Sequence, residues 1–320
     1  MQYESFDKDK FHVVTMISNP VRYKSRYNLF FRWQEHMRSF GIEPWVIELQ
    51  TGDRPFCITD KQNPRHLQRR AWDELWHKEN CLNLIIQKLP CDWETVAWID
   101  ADIRFTRADW VEETLHQLQI YQVVQLWETA VDFGPNEQVL STHKSFMSQY
   151  IKRGAVFPET SYQEWHPGYA WAARREAIDG MGSATGYGPL FSTSILGAGD
   201  RVMALAFVGA AHHSIHPDTT AEYKLDVMTY QKKCLYTLRR DVGFVGGTIM
   251  HWFHGKKKDR KYWDRWKILT ENQFNPFTDI RTDSYGTLMW VDDMTDRMIR
   301  MRDQVRAYFR NRNEDSIDLE

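Results

Sequence analysis

Asp100 and Asp102 close an apolar run, Val96-Ala97-Trp98-Ile99, within the stretch from Ala97 to Phe105. β-branched and aromatic residues in so short a run predict a buried strand. Two carboxylates at its exit are costly to leave without a partner. In open α/β sheets ligands sit at the carboxyl ends of strands. If the chain stays extended, residues two apart point the same way, and both carboxylates face one crevice. Oxygen ligands of this kind hold Mg²⁺ or Mn²⁺, above all where a substrate phosphate completes the shell. The alternative is a surface turn in which an Asp caps the following segment. Trp98 and Ile99 weigh against it, because they mark the strand as buried.

Three later segments supply candidate partners. His166-Pro-Gly-Tyr-Ala-Trp-Ala-Ala-Arg-Arg175 brings a tight turn, with Gly168 allowing close backbone approach. Tyr169 and Trp171 offer planar surfaces for a sugar or base; the plainer reading is an edge hairpin. Asp200, between the glycines of Gly197-Ala-Gly-Asp and the apolar stretch Val202 to Phe207, suits either a helix cap or a general base. Thr248-Ile-Met-His251-Trp-Phe-His254 reads as a strand carrying two histidines. A neutral imidazole from His251 is a fitting third ligand beside carboxylates. Lysines from Lys256 onward would neutralise phosphate, although a lysine run is often only a solvated face. Acid pair, His and Lys cluster together point to a metal-bridged diphosphate leaving group.

The elements that must position these residues alternate. Phe11 to Ile17 is a strand closed by Ser18-Asn19-Pro20, and Arg26 to Phe40 is a helix stopped by Gly41. Pro44 to Leu49 is a second strand. Gln68 to Leu89 carries apolar residues that predict one long helix ended by Pro90. After the strand into Asp100 come a helix from Asp109 and a strand over Tyr121 to Trp127. Alternation of this kind predicts a mostly parallel sheet flanked by helices. Met294 to Phe309 predicts an amphipathic helix docked on the core, and Asn313 to Glu320 a frayed acidic tail.

Composition sets limits. With 320 residues, 42% of them hydrophobic, the chain has ample material for a core. A net charge of -2 excludes a global basic field, so any polyanion contact must be a local patch. Cys57, Cys81, Cys91 and Cys234 show no zinc-type spacing and predict reduced, mostly buried thiols. The stretch Met1 to Lys10 has no apolar core of a signal peptide, and Val202 to Ala211 is too short to span a bilayer. These features predict a soluble, cytoplasmic protein without membrane partners. No Walker loop or dinucleotide glycine fingerprint occurs.

Six segments in order resemble GT-A-fold glycosyltransferases, more narrowly the phage-encoded, DNA-modifying and bacterial members. They are Leu75 to Asn83, Val96 to Ile103, Val123 to Leu126, His166 to Trp171, Gly197 to Asp200 and Gly246 to His251. The resemblance implies a GT-A-like, Rossmann-type α/β domain over residues 1–285 and a helical C-terminal extension over 286–320. It implies a nucleoside-diphosphate sugar as donor, Mn²⁺ or Mg²⁺ as cofactor, and a host-cytoplasm location if phage-encoded. Asp102 would bind the metal, Asp100 the ribose or the metal, and His251 would be the late metal ligand. Asp200 matches the acidic base of inverting members. The loop from Thr15 to Arg22, with Ser18 and Asn19, would lie against the nucleotide. One departure is that many relatives have Glu-Asp where this chain has Gly199-Asp200.

For the acceptor, the phage-type resemblance implies a hydroxymethylated pyrimidine in DNA. Basic residues interleave with aromatics at Lys256, Lys257, Lys258, Arg260, Lys261, Tyr262, Trp263, Arg265 and Trp266, and again over 22–27. Such mixtures suit a phosphate backbone and a flipped base. A glycan acceptor is the alternative. Outside glycosyl transfer, a metal-dependent nuclease or phosphotransferase would use similar residues, but two-metal sites want more clustered carboxylates. A non-enzymatic carbohydrate- or nucleic-acid-binding module would explain the 14 tryptophans, but not carboxylates ending a buried strand.

Overall fold

The computed structural model describes residues 6–156, 158 and 162–318, so part of the N-terminal stretch and the last two tail residues lie outside the described residues. Strand β1 (Phe11–Ser18), helix α1 (Lys24–Ser39) and strand β2 (Trp45–Thr51) follow the expected order. The single helix expected over Gln68 to Leu89 divides. His66–Ala71 is strand β3, parallel to β2, and only Lys78–Ile86 is helical, as α2. Pairing along the open edge of β2 satisfies a row of backbone groups at once, which overrides the good helical propensity of Leu, Gln, Arg and Ala in His-Leu-Gln-Arg-Arg-Ala. Trp72, within the stretch expected to be helical, is 71% exposed.

β4 (Thr95–Ile99) leads through a turn at Ala101 and Asp102 into the short β5 (Ile103–Phe105). The chain then runs through α3 (Trp110–Leu118), β6 (Val123–Gln125), β7 (Thr129–Phe133), β8 (Val139–Ser145) and α4 (Phe146–Arg153). β9 (Trp165–His166), β10 (Ala170–Arg174), α5 (Arg175–Gly180), α6 (Gly199–Phe207) and α7 (Ala221–Leu238) follow. The last elements are β11 (Val242–Phe244), β12 (Thr248–His251), α8 (Arg265–Glu271), β13 (Ile280–Thr282), β14 (Leu288–Trp290) and α9 (Asp296–Arg310).

The central sheet has the order β11-β6-β10-β4-β1-β2-β3. It is parallel except for β10, which lies antiparallel between β4 and β6. This is a mixed α/β fold with a mostly parallel sheet flanked by helices. Because β10 is internal, the edge-hairpin reading of His166 to Arg175 falls away. Alternation along the strands sends side chains to two cores. Val13, Ile17, Ala97 and Ile99 meet Leu29, Phe30, Trp33 and Met37 of α1. Val14, Ile47, Val96 and Trp98 share the other core with Leu82, Ile85 and α6. Phe30, whose relative exposure is 0%, contributes on the order of 1.5–3 kcal/mol by leaving water.

A second sheet, β5-β12-β7-β8-β9, stands at the carboxyl end of β4. β13 and β14 form an antiparallel ribbon, and the 285/286 boundary drawn from sequence falls in its turn. The helix expected near the C-terminus is α9, with Met298, Met301, Val305, Tyr308 and Phe309 all buried. The tail is not frayed over its described part. Glu314 is 2% exposed and pairs with Arg26 and Arg312, while Asp315 accepts the N–H groups of Lys24 and Ser25 (2.9 and 2.8 Å) at the start of α1. Opposite charge and an otherwise uncapped helix end hold it down. All four cysteines are free, but Cys57 and Cys91 are exposed rather than buried. Among the described residues no helix is long and apolar enough to cross a membrane.

Two imidazoles make the fold acid-sensitive. His36 Nε2 accepts the N–H of Phe105 at 3.0 Å, and His77 is 4% exposed. Burial pushes both down to about 4, against about 6.5 in an unfolded chain. Between those values the unfolded chain binds more protons, so stability falls as pH drops through that window. Urea midpoints at pH 7 and pH 5 should differ in that direction. Equal midpoints would show that these imidazoles charge freely in the folded chain.

Candidate functional site

The turn after β4 decides where the two aspartates go. The chain bends at Ala101 and Asp102 instead of staying extended, so the two carboxylates take different partners. Asp100 is met by Lys78 Nζ at 2.5 Å, from the first turn of α2. Burial raises its carboxyl above the usual range, with Lys78 opposing. Asp102 turns to the other side. β12 zips antiparallel onto β5, with His251 opposite Ile103, and the N–H of Trp252 donates to the Asp102 carbonyl at 2.9 Å. That register carries the exit of β12 to the exit of β4. His254 Nε2 lies 3.0 Å from Asp102 Oδ2, and His251 Nε2 lies 3.9 Å from the same oxygen.

One ligand atom from each of Asp102, His251 and His254 falls within 4.8 Å of the others. Asp102 Oδ1 is buried and has no hydrogen-bond partner. A buried orphan of this kind fits a carboxylate whose partner is a cation. Burial opposes ionisation of Asp102, but His254, His251 and Arg260 outweigh it and hold the carboxyl far below its ordinary range. Burial pushes His254 down to about 4, leaving it neutral, the form that ligates. Asp100, expected as a ligand, stands outside the trio because Lys78 holds it.

Behind the trio stands Asp132, 3% exposed. β7 runs parallel to β12 with Asp132 beside His251, and Asp132 Oδ1 lies 2.8 Å from His251 Nδ1. Ser141 from β8 donates to Asp132 Oδ2 at 2.7 Å, as does Lys257 at 2.6 Å, and Tyr169 donates its hydroxyl to Oδ1 at 3.2 Å. With Nδ1–H donated to Asp132, the lone pair of Nε2 faces Asp102. This is the carboxylate–histidine arrangement of metal sites. If the trio holds Mn²⁺, Asp132→Asn should weaken that affinity by roughly 10–100-fold with Asp102, His251 and His254 all in place. Calorimetric titration checks this, and unchanged affinity would reduce Asp132 to a packing role.

The trio opens into a cleft of about 200 Å³ at the carboxyl ends of β1 and β4. Thr15, Ser18 and Asn19 line it. Thr15 Oγ1 is bonded to the Ile99 carbonyl (2.7 Å) and Asn19 closes its own loop through Tyr23 (2.7 and 2.9 Å), so they form a rigid floor. Arg22 turns to solvent with φ 68° and does not line the cleft. Trp171 does not either. It is 2% exposed, donates to the Pro167 carbonyl at 2.7 Å and packs edge-on against Phe207. On an internal strand its ring faces the core. Tyr169, named with it from sequence, does line the cleft, together with aromatics that include Trp76, Tyr162 and Tyr262.

Lys256 is likewise outside the lining, its Nζ 3.9 Å from Asp318, and Lys257 is spent on Asp132. A short 3₁₀ turn over Lys257–Arg260 sends Arg260 inward instead, 3.0 Å from His254 Nε2. Arg26, Arg260, Arg265 and Arg312 line the cleft, with Glu314 paired to Arg26 and Arg312. Burial opposes ionisation of Glu314, but Arg26 and Arg312 prevail and hold it well below the carboxylate range.

Asp200 also lines the cleft. The N-cap of α6 is Ala198, with φ 81° and no side-chain cap, so Asp200 lies inside the first turn and is not the cap. Its Oδ2 rests on the α-carbon of Gly168, where any side chain would collide with it. The glycine of the His166 segment and the carboxylate of the Gly197 segment thus meet.

No family model matches the chain. No curated protein matches it either. Solved structures align over long stretches at low similarity. One is a protein from Desulfovibrio desulfuricans G20 assigned by its name to the nucleotide-diphospho-sugar transferases. It has 11% identity and TM-score 0.31, over 93% of this chain and 98% of that one. Another is the catalytic domain of Drosophila β1,4-galactosyltransferase 7, crystallised with xylobiose, with 14% identity and TM-score 0.29 over 62% and 61%. A third is Staphylococcus aureus TarS 1–349, with 11% identity and TM-score 0.28 over 95% and 89%.

Several residues of the site went unassigned by sequence. His254 was visible as the second histidine of His251-Trp-Phe-His254, and its spacing was a usable signal. Lys78 and Glu79 are two charges opening an apolar helix; burial pushes Glu79 up to about 8. Asp132 and Glu314 gave no signal, because only their distant partners make them meaningful.

Proposed function

We propose that the protein is a metal-dependent glycosyltransferase. It moves a sugar from a nucleoside-diphosphate sugar to a hydroxyl acceptor, with inversion at the anomeric carbon. The observation that carries this reading is the Asp102–His251–His254 trio in a cleft that is also lined by four arginines and by Asp200. A divalent ion held by the trio would supply positive charge against the diphosphate. Two imidazoles in the donor set favour Mn²⁺ over Mg²⁺, which prefers oxygen.

The chain's own residues do the rest. The β1 loop receives the nucleotide. Arg26, Arg260 and Arg312 offset phosphate charge, planar donors suited to such oxygens. As the anomeric carbon–oxygen bond to the diphosphate breaks, the acceptor oxygen bonds to that carbon, and Asp200 takes the acceptor proton. The nuclease reading fits less well, because Asp100, the second carboxylate it needs, is committed to Lys78.

For the acceptor, hydroxymethylated DNA comes from the phage-type resemblance, with the basic residues interleaved with aromatics as its physical support. Trp266 is buried, Arg265 is buried and donates to the Leu196 carbonyl at 3.0 Å, and Arg26, Arg260 and Arg265 line the cleft. Lys258, Lys261 and Trp263 remain exposed, a smaller patch. The DNA reading requires duplex affinity that falls steeply with salt; no binding at low salt would end it.

A thermal-shift series tests the central reading. UDP or GDP should raise Tm only when Mn²⁺ is present. No stabilisation by any nucleoside diphosphate with Mn²⁺ would sink it. A panel of nucleotide sugars, screened for slow hydrolysis, then identifies the donor.

A further inference from the structure

The cleft contains a carboxyl that the proposed reaction leaves unused. Glu79, in the first turn of α2, is 1% exposed and lines the cleft. Its Oε2 is buried without a hydrogen-bond partner. Leaving such an oxygen unpaired costs stability, and strained or unsatisfied groups that persist in a cleft mark sites completed by a ligand. The start of α6 makes room for this carboxyl. A side chain at Gly199 would place its Cβ 2.6 Å from both Cδ and Oε1 of Glu79. Glycine at 199 therefore lets the Glu79 carboxyl lie beside the turn that carries Asp200. Trp76 and Leu82 line the same region of the cleft and Lys78 borders it, held on Asp100.

We infer that Glu79 binds a hydroxyl of the transferred sugar, in a subsite bounded by Asp200, Lys78 and Trp76. This rests on the glycosyltransferase reading and names the residue that tells a nucleotide sugar from a bare nucleoside diphosphate. A carboxyl oxygen with a free lone pair accepts a hydroxyl, and the apolar edge of Trp76 covers the ring. Sites built to pair a substrate hydroxyl discriminate sharply, because without it their own polar groups stay unpaired.

The test uses the full chain with Mn²⁺ and compares UDP and GDP with UDP-glucose, UDP-N-acetylglucosamine and GDP-mannose by calorimetry. Glu79→Leu should leave the Kd of the diphosphate within about 2-fold and weaken the matching nucleotide sugar by roughly 10–100-fold. Its Tm should hold or rise, since the unpaired oxygen is gone. Glu79→Gln, which keeps an oxygen and the shape, should recover part of the sugar affinity and serves if the Leu variant folds poorly. Equal loss for diphosphate and sugar, no loss for either, or a fall in Tm with sugar affinity intact would each overturn the assignment. If the wild-type chain binds no nucleoside diphosphate with Mn²⁺, the glycosyltransferase reading itself fails, and this inference with it.

Discussion

Asp102→Asn is expected to abolish Mn²⁺-coupled nucleotide binding while leaving the chain folded. Asp102 is the only carboxylate of the trio, and its Oδ1 has no protein partner to lose. An amide keeps the shape but removes the charge that a divalent ion needs. The loss should exceed the roughly 10–100-fold expected for Asp132→Asn, because a direct ligand outranks its supporting shell. His254→Ala should act in the same direction, removing a nitrogen 3.0 Å from Asp102 Oδ2. The measurement is a paired titration, nucleoside diphosphate with and without Mn²⁺. Wild-type coupling in Asp102→Asn would remove this residue from the metal site.

The second large effect separates chemistry from binding. Asp200→Asn should keep donor affinity and lose turnover by about 10²–10⁴-fold, the usual contribution of a general base. Loss of a helix cap would instead cost about 1 kcal/mol of stability. Ala198 occupies the N-cap, but Asp200 Oδ1 accepts the N–H of Arg201 at 2.8 Å in the first turn of α6, so a stability loss of that size is compatible with either role and turnover is the deciding readout. Full turnover would move the base elsewhere in the cleft.

Much of the scaffold was legible because burial leaves a periodic trace. Continuous apolar runs at Phe11–Ser18 and Thr95–Ile99 became adjacent parallel strands, and the spacing in α1 and α9 became their buried faces. The failure at 68–89 has a specific cause. Leu67 and Ala71 of an edge strand, with the apolar residues of the following loop, mimicked helical spacing, and only the presence of β2 alongside made His66–Ala71 a strand. Trp171 misled for a related reason. An aromatic beside a Gly turn looks available, yet on an internal strand its ring has no route to the cleft.

The sequence by itself determined the chemistry on offer: carboxylates at the exit of a buried strand, histidines at the exit of another, and an Asp behind a glycine turn. These follow from local pattern, because strand burial and turn chemistry are properties of a few neighbouring residues. Tertiary structure alone decided which of them meet. The bend at Ala101 and Asp102 parted Asp100 from Asp102, and the β5–β12 register, a pairing across more than a hundred residues, brought His251 and His254 to Asp102. Asp132 and Glu314 acquire a role only through partners 119 and 288 residues away, His251 and Arg26. Charges buried at such separations leave no periodicity in the chain. Their placement is a consequence of the packing that encloses them.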